Sequence, residues 1–162
     1  MEAPLFEVST TRGALFAGLV QYLAEWESTQ EVLNASRSLL RSVWIGGSFA
    51  SAKPNPDDID VSPIIDAAYV DTFVGKPGYK RVRSLTRHAP SIRERFGLDV
   101  FPIKWHPVVN ILNSTTWDND DAAYVTDRGR FDDFWQRCRF NGSDIPTKES
   151  CESRRGYLEV HL

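Results

Sequence analysis

Cysteine is scarce in this sequence, with Cys138 and Cys151 the two in 162 residues. Their separation suits neither a metal site nor a disulfide framework, so free thiols in a reducing cytoplasm are expected. Histidine is almost as thin: His88, His106 and His161 show no ligand spacing, which argues against zinc. No Ser-His-Asp or Cys-His arrangement is evident. Long apolar runs are missing too; none approaches the roughly 20 residues needed to cross a bilayer. The stretch Met1-Glu2-Ala3-Pro4-Leu5-Phe6 lacks the basic-then-apolar order of a secretory signal, so no membrane association is expected. Nor is one sign of charge in large excess. A formal net charge of −3 disfavours a nonspecific nucleic-acid coat and leaves room only for a local basic patch.

What is present suits a globular chain. Five Trp and nine Phe supply large apolar side chains, and the length fits one domain with a sizeable core. With no repeat, low-complexity tract or linker, residues 1–162 read as a single domain. Its core is expected over about 10–104, with a C-terminal helix and strand within 131–162.

Leu15, Phe16, Leu19, Tyr22 and Leu23 recur with helical spacing behind the capping candidates Thr10 and Thr11. Ser28 and Glu31 form an S-x-x-E capping box, predicting a second helix through Val32, Leu33, Leu39 and Leu40. Val43-Trp44-Ile45 is short, apolar and β-prone, and Gly46-Gly47 ends it. A turn over Lys53–Asp57 leads to a strand at Asp58–Pro63. Asp66 is placed to cap a helix through Tyr69, Val70 and Phe73, stopped at Gly75. Residues 80–89 are predicted helical. Pro90 opens a short helix that Gly97 stops, and Leu98–Phe101 begins a strand that can extend to Trp105. Residues 107–130 carry no clear pattern, and Asp118–Asp121, half a calcium loop without its central Gly and terminal Glu, reads as an exposed acidic loop. Phe131–Phe140 is predicted helical, its aromatics together with Trp117 and Trp135 serving as core or rim. Tyr157–Leu162 alternates as a strand, with Leu158, Val160 and Leu162 on one face. The fold class expected is α/β (α+β), a small mixed sheet flanked by helices.

The chemistry is concentrated in two pieces. Alternate residues of a strand share a face, so Asp58 and Asp60 point one way and Ile59 and Val61 the other, into a core. Two carboxylates side by side repel unless a cation lies between them. Mg²⁺ or Mn²⁺ is suited to that role, because such ions take carboxylate and phosphate oxygens together. Upstream, Gly46 and Gly47 let backbone approach a ligand, and a helix starting near Ser48 would offer an anion site to which its hydroxyl adds. The bland alternative is a turn followed by a half-exposed strand with solvated acids. Asp57 is read as a turn residue bonded to local backbone. Lys53 is either a phosphate contact or a solvated turn lysine. The basic run over 76–95 is a solvated surface by default; alternatively it receives triphosphate or an RNA end, with Arg83 and Arg87 four apart and pointing the same way.

Gly47-Ser48, nine residues, then Asp58-Ile59-Asp60-Val61 resembles the G-S-x(n)-D-x-D signature of the DNA-polymerase-β-like nucleotidyltransferases, and Gly-Gly-Ser-Phe with Asp-Ile-Asp-Val is similar to small bacterial members of that group. The matching motif spans about 20 residues, with a looser likeness in element order over 10–104. The resemblance implies a third carboxylate on a neighbouring strand, a place that Asp99 fits. It also implies two-metal transfer of a nucleoside monophosphate from an NTP, such as ATP or CTP, with pyrophosphate released. Asp58, Asp60 and Asp99 would be catalytic and metal-binding; Gly46, Gly47, Ser48, Lys53, Arg83 and Arg87 are the nucleotide-binding candidates. The acceptor is left open among an RNA end, a protein hydroxyl and a small molecule. Small members often act in toxin–antitoxin or defence pairs, which implies a protein partner. The competing readings are a nucleotide- or partner-binding module of the same fold with little catalysis, and a metal-dependent phosphohydrolase.

Overall fold

The computed structural model describes residues 8–138, 147–152 and 154–162. The chain opens with α1 (Arg12–Leu33), one continuous helix of 22 residues rather than two. Its buried residues Leu19, Tyr22, Trp26, Thr29 and Leu33 recur at intervals of three and four, so a single apolar stripe runs its whole length. Ser28 lies inside that stripe's helix and accepts a hydrogen bond from Arg81 Nη1 (3.2 Å) instead of opening a new one. Thr11 holds the N-cap position, but its side chain makes no capping hydrogen bond; Ser9 Oγ instead accepts from the Arg12 backbone N–H at 3.2 Å.

Two long antiparallel strands follow, β1 (Leu40–Gly46) and β2 (Ile59–Asp66), both longer than the sequence pattern suggests. Asp66 ends β2 and caps the short α2 (Ala67–Asp71) by accepting from the Tyr69 N–H at 3.1 Å. That helix stops before Phe73, and turns carry the chain to α3 (Tyr79–Leu85). Next come α4 (Pro90–Phe96), closed by Gly97, and the three-residue strands β3 (Leu98–Val100) and β4 (Ile103–Trp105). Phe101-Pro102 breaks what the sequence presents as one strand. Both β3 and β4 pair with β2 in parallel.

The largest departure from expectation is α5 (Asn119–Gln136), 18 residues starting well before Phe131. The acidic tetrad is its N-terminus. Asp118 accepts from the backbone N–H groups of Asp120 and Asp121, and Asp121 reaches back to the Asp118 N–H, a capping box built from aspartates. The rest of the predicted 131–140 helix, from 139, lies outside the described residues. β5 (Leu158–His161) pairs antiparallel with β1, giving a five-stranded mixed sheet of order β3-β2-β1-β5, with β4 beside the far end of β2.

Alternation along the strands creates two cores. Val43, Ile45, Ile59, Val61, Leu98 and Val100 face α1 and α4 in the larger one. Trp44, Ile64 and Ile103 face α5, where they meet Tyr124 and Trp135. The indole N–H of Trp135 donates to Ser62 Oγ at 2.9 Å, so the second core also has a satisfied polar anchor. Leu158, Val160 and Leu162 are largely exposed. Cys138 and Cys151 are free thiols. Among the described residues no helix is long and apolar enough to cross a membrane. The architecture is α+β, with a small mixed sheet between helical layers.

Candidate functional site

The central strand β2 and the edge strand β3 bring the acids together. Asp60 on β2 is paired in register with Asp99 on β3, and both lie on the face opposite Ile59, Val61, Leu98 and Val100. Neighbouring strands run about 4.8 Å apart, so the two carboxylates are side by side. Asp58 sits one residue before β2. Arg93, on α4, joins the group: its guanidinium pairs with Asp58 and donates through Nη1 to Asp99 Oδ2 at 2.9 Å. Both carboxylates are 17% exposed, whereas Arg93 is half exposed. Burial pushes the Asp58 carboxyl above its ordinary range against the pull of Arg93, and the charges of Asp99 and Asp57 add to that rise.

The glycines contribute through close approach. Gly47 has φ +66°, and a Cβ there would lie 1.6 Å from Asp60 Oδ2. Its Cα is therefore the floor against which Asp60 rests. A Cβ on Gly46 would meet the Trp135 ring at 2.9 Å, so the packing of α5 requires a glycine there. No helix starts at Ser48; residues 47–52 form successive turns, which removes the expected helix-end anion site. Ser48 is partly exposed in this loop. Lys53 pairs with Asp57 at 2.6 Å, closing the turn.

Two arginines that the sequence reading passed over hold the loop. Arg12, 1% exposed, donates to the carbonyls of Phe49 (3.0 Å), Ser51 (2.8 Å) and Lys53 (2.6 Å). Arg155 donates from Nη1 to the Gly47 carbonyl (3.3 Å) and from Nε to the Trp135 carbonyl (3.2 Å). Isolated arginines far along the chain give no local signal of such a role. Arg93 was visible only as one cation in a basic run. The predicted pair is rearranged: α3 ends at Leu85, so Arg83 and Arg87 share no helical face, and Arg83 lines a separate cleft with Val70, Tyr79 and Lys104.

The site can be compared with the needs of a divalent ion. Among the described residues, no three His, Cys, Asp or Glu side chains are gathered as a ready-made metal cluster. The donor set is nonetheless all carboxylate oxygen, and a guanidinium stands as the positive charge linking Asp58 and Asp99. With Asp60 on the adjoining rung, the group offers carboxylate oxygens, the donor type that a hard dication takes, two of them held by Arg93.

No curated protein and no solved structure matches the chain. One protein-family model matches it over residues 3–161, and the chain belongs to that family, DUF6932, a family of unknown function.

Proposed function

We propose that this chain is a metal-dependent nucleotidyltransferase of polymerase-β-like fold, moving a nucleoside monophosphate from an NTP to a hydroxyl acceptor. The observation that carries the reading is the pairing of Asp60 with Asp99 on adjacent parallel strands, with Asp58 at the head of β2 and Arg93 bridging two of the three. The order of elements supports it as well: Gly46 ends β1 and Gly47-Ser48 turn out of it, and Asp58-Ile59-Asp60 leads into the antiparallel β2.

Asp58, Asp60 and Asp99 would hold Mg²⁺ or Mn²⁺, which supplies charge neutralisation at the triphosphate and at the attacking oxygen. The chain's own residues do the rest. Ser48 donates its hydroxyl to a β- or γ-phosphate oxygen, on a loop that Arg12 and Arg155 hold in place. Arg93, once displaced from Asp58 and Asp99, is free to meet the same phosphates. The acceptor oxygen forms its bond to the α-phosphorus and its proton passes to Asp99. The bond from α-phosphorus to the bridging oxygen breaks, and pyrophosphate leaves. An RNA end, a protein hydroxyl and a small molecule all meet the requirement for an acceptor, and the first two would make a macromolecule the partner.

The ion pairs of Arg93 also favour a second reading, a nucleotide-binding module in which the guanidinium permanently neutralises the acids. Pyrophosphate release separates the two. Each NTP is incubated with Mg²⁺ or Mn²⁺ and cell extract as acceptor. Release that disappears in Asp60→Asn supports transfer; release of inorganic phosphate instead points to hydrolysis; NTP binding without turnover, surviving Asp99→Asn, supports the binding module.

A further inference from the structure

At the other end of β2 from the carboxylates lies a cleft of about 490 Å³ whose walls include Arg37, Arg41, Arg128 and Trp105. Six residue steps along the strand separate Asp60 from Asp66, about 20 Å at the rise of a β-strand, so this is a distinct place in the fold. The three arginines come from three segments: the loop before β1, β1 itself and α5.

Each guanidinium lies over an aromatic ring. Arg41 lies 3.8 Å from the Trp105 ring centre, Arg37 4.0 Å from that of Tyr69 and Arg128 5.1 Å from that of Trp44. Two are also anchored from behind by Asp66, itself 2% exposed: Arg37 at 2.5 Å and Arg41 at 3.6 Å. Arg128 donates to the Tyr124 hydroxyl at 3.1 Å. Ring contacts and anchoring hold these groups in place while leaving much of them open, with the Arg37 and Arg41 side chains 52% and 46% exposed. A guanidinium presents its N–H edge in a fork that matches paired oxygens on an anion. Glu159, the acid in the lining, is engaged by Ser42 Oγ at 2.7 Å.

We infer that this cleft is a second ligand site, taking a phosphate monoester of mononucleotide size. Forks arriving from three segments need an acceptor with oxygens in several directions; a tetrahedral phosphate offers these and a planar carboxylate does not. The cleft is larger than a phosphate requires and falls in the range of small-molecule sites. Trp105 and the exposed Leu162 line the remaining wall and suit the organic half of the ester. The inference is independent of the carboxylate site.

The test titrates inorganic phosphate, AMP and citrate into the nitrogen-15-labelled full chain, with a chelator present to silence metal-dependent binding. AMP shifts the Trp105 indole signal and the side-chain signals of Arg41 and Arg128, more tightly than inorganic phosphate does. Arg128→Gln and Arg41→Gln each weaken AMP by about tenfold, the loss of a charge-assisted hydrogen bond. Arg128→Lys, which keeps the charge on an exposed helix face, also weakens it because the fork is gone. Asp60→Asn leaves AMP binding unchanged, so failure here and failure of the transferase reading are separate results. Absence of shifts at millimolar AMP, binding that survives both glutamine substitutions, or citrate binding as tightly as AMP would overturn the proposal.

Discussion

Gly47 and Asp60 stand so close that the Cα of one supports the carboxylate of the other: a Cβ on Gly47 would sit 1.6 Å from Asp60 Oδ2. The glycine also holds φ +66°, in the left-handed region where a side chain costs about 1–2 kcal/mol. Gly47→Ala is therefore expected to lower stability by about that amount and, separately, to push Asp60 out of line with Asp99. Urea denaturation measures the first effect and Mn²⁺ titration the second. Metal affinity that is unchanged in Gly47→Ala would show that Asp60 takes no part in ion binding.

Arg93 competes with any cation that the site takes up, because it holds oxygens of Asp58 and Asp99. It is half exposed, so solvent screens both pairs and each is modest. Arg93→Gln should raise Mn²⁺ affinity by roughly three- to tenfold, read by calorimetry or by electron paramagnetic resonance of free Mn²⁺. Weaker binding in the variant would mean that Arg93 positions the carboxylates and does not compete for them.

Arg12 satisfies three loop carbonyls from a buried position. Its truncation strips those acceptors of their partner, at a cost of about 3 kcal/mol or more. Arg12→Ala should thus lower the urea midpoint and open the loop at 47–53 to proteolysis before the rest of the chain. Global loss of stability without early cleavage there would place the role of Arg12 in the core instead.

Asp58 and Asp66 respond to pH in opposite senses. Burial works against the Asp66 carboxylate, but the hydrogen bonds from Arg37 and the Tyr69 N–H, with the charge of Arg41, hold its carboxyl below the usual range. That contribution is present above the unfolded carboxylate value and is lost as pH falls through the lowered one. The Asp58 carboxyl is raised, so its contribution is full at acid pH and is lost as pH rises through the raised value. Asp66→Asn should flatten the acid limb of the stability profile, with a cost near neutral pH of about 1–2 kcal/mol given the exposure of Arg37. Asp58→Asn should instead remove a decline on the rising side. Denaturation midpoints of both variants across acid to neutral pH decide the signs.

The parts of the site legible in the sequence were those encoded by local alternation and punctuation. Asp60 facing away from Ile59 and Val61, Gly46 ending β1, Asp66 capping α2 and Gly97 stopping α4 all follow from patterns within a few residues. Asp99 on the neighbouring strand came from resemblance, and the register Asp60↔Asp99 agrees with that placement. The failures have physical causes as well. Ser28–Glu31 imitates a helix start because a capping box and an exposed helical Ser and Glu look alike; the stripe from Leu19 to Leu33 overrides it. Asp118–Asp121, read as an exposed acidic loop, is a helix start, because helix N-termini also attract acids. Arg12, Arg93 and Arg155 reach Phe49, Asp58 and Gly47 across 35 to 108 residues of chain, and no local pattern announces such partners.

The most direct test of the central claim is label transfer. The chain is incubated with Mg²⁺ or Mn²⁺, each α-³²P-labelled NTP in turn, and total RNA plus protein extract, beside Asp60→Asn and Asp99→Asn. A labelled RNA, protein or small-molecule product that is formed by the parent chain and absent with both variants is the predicted result, and it would identify the acceptor and the base together. Absence of label with every NTP, or label that persists in both variants, would contradict a nucleotidyltransferase built on Asp58, Asp60 and Asp99.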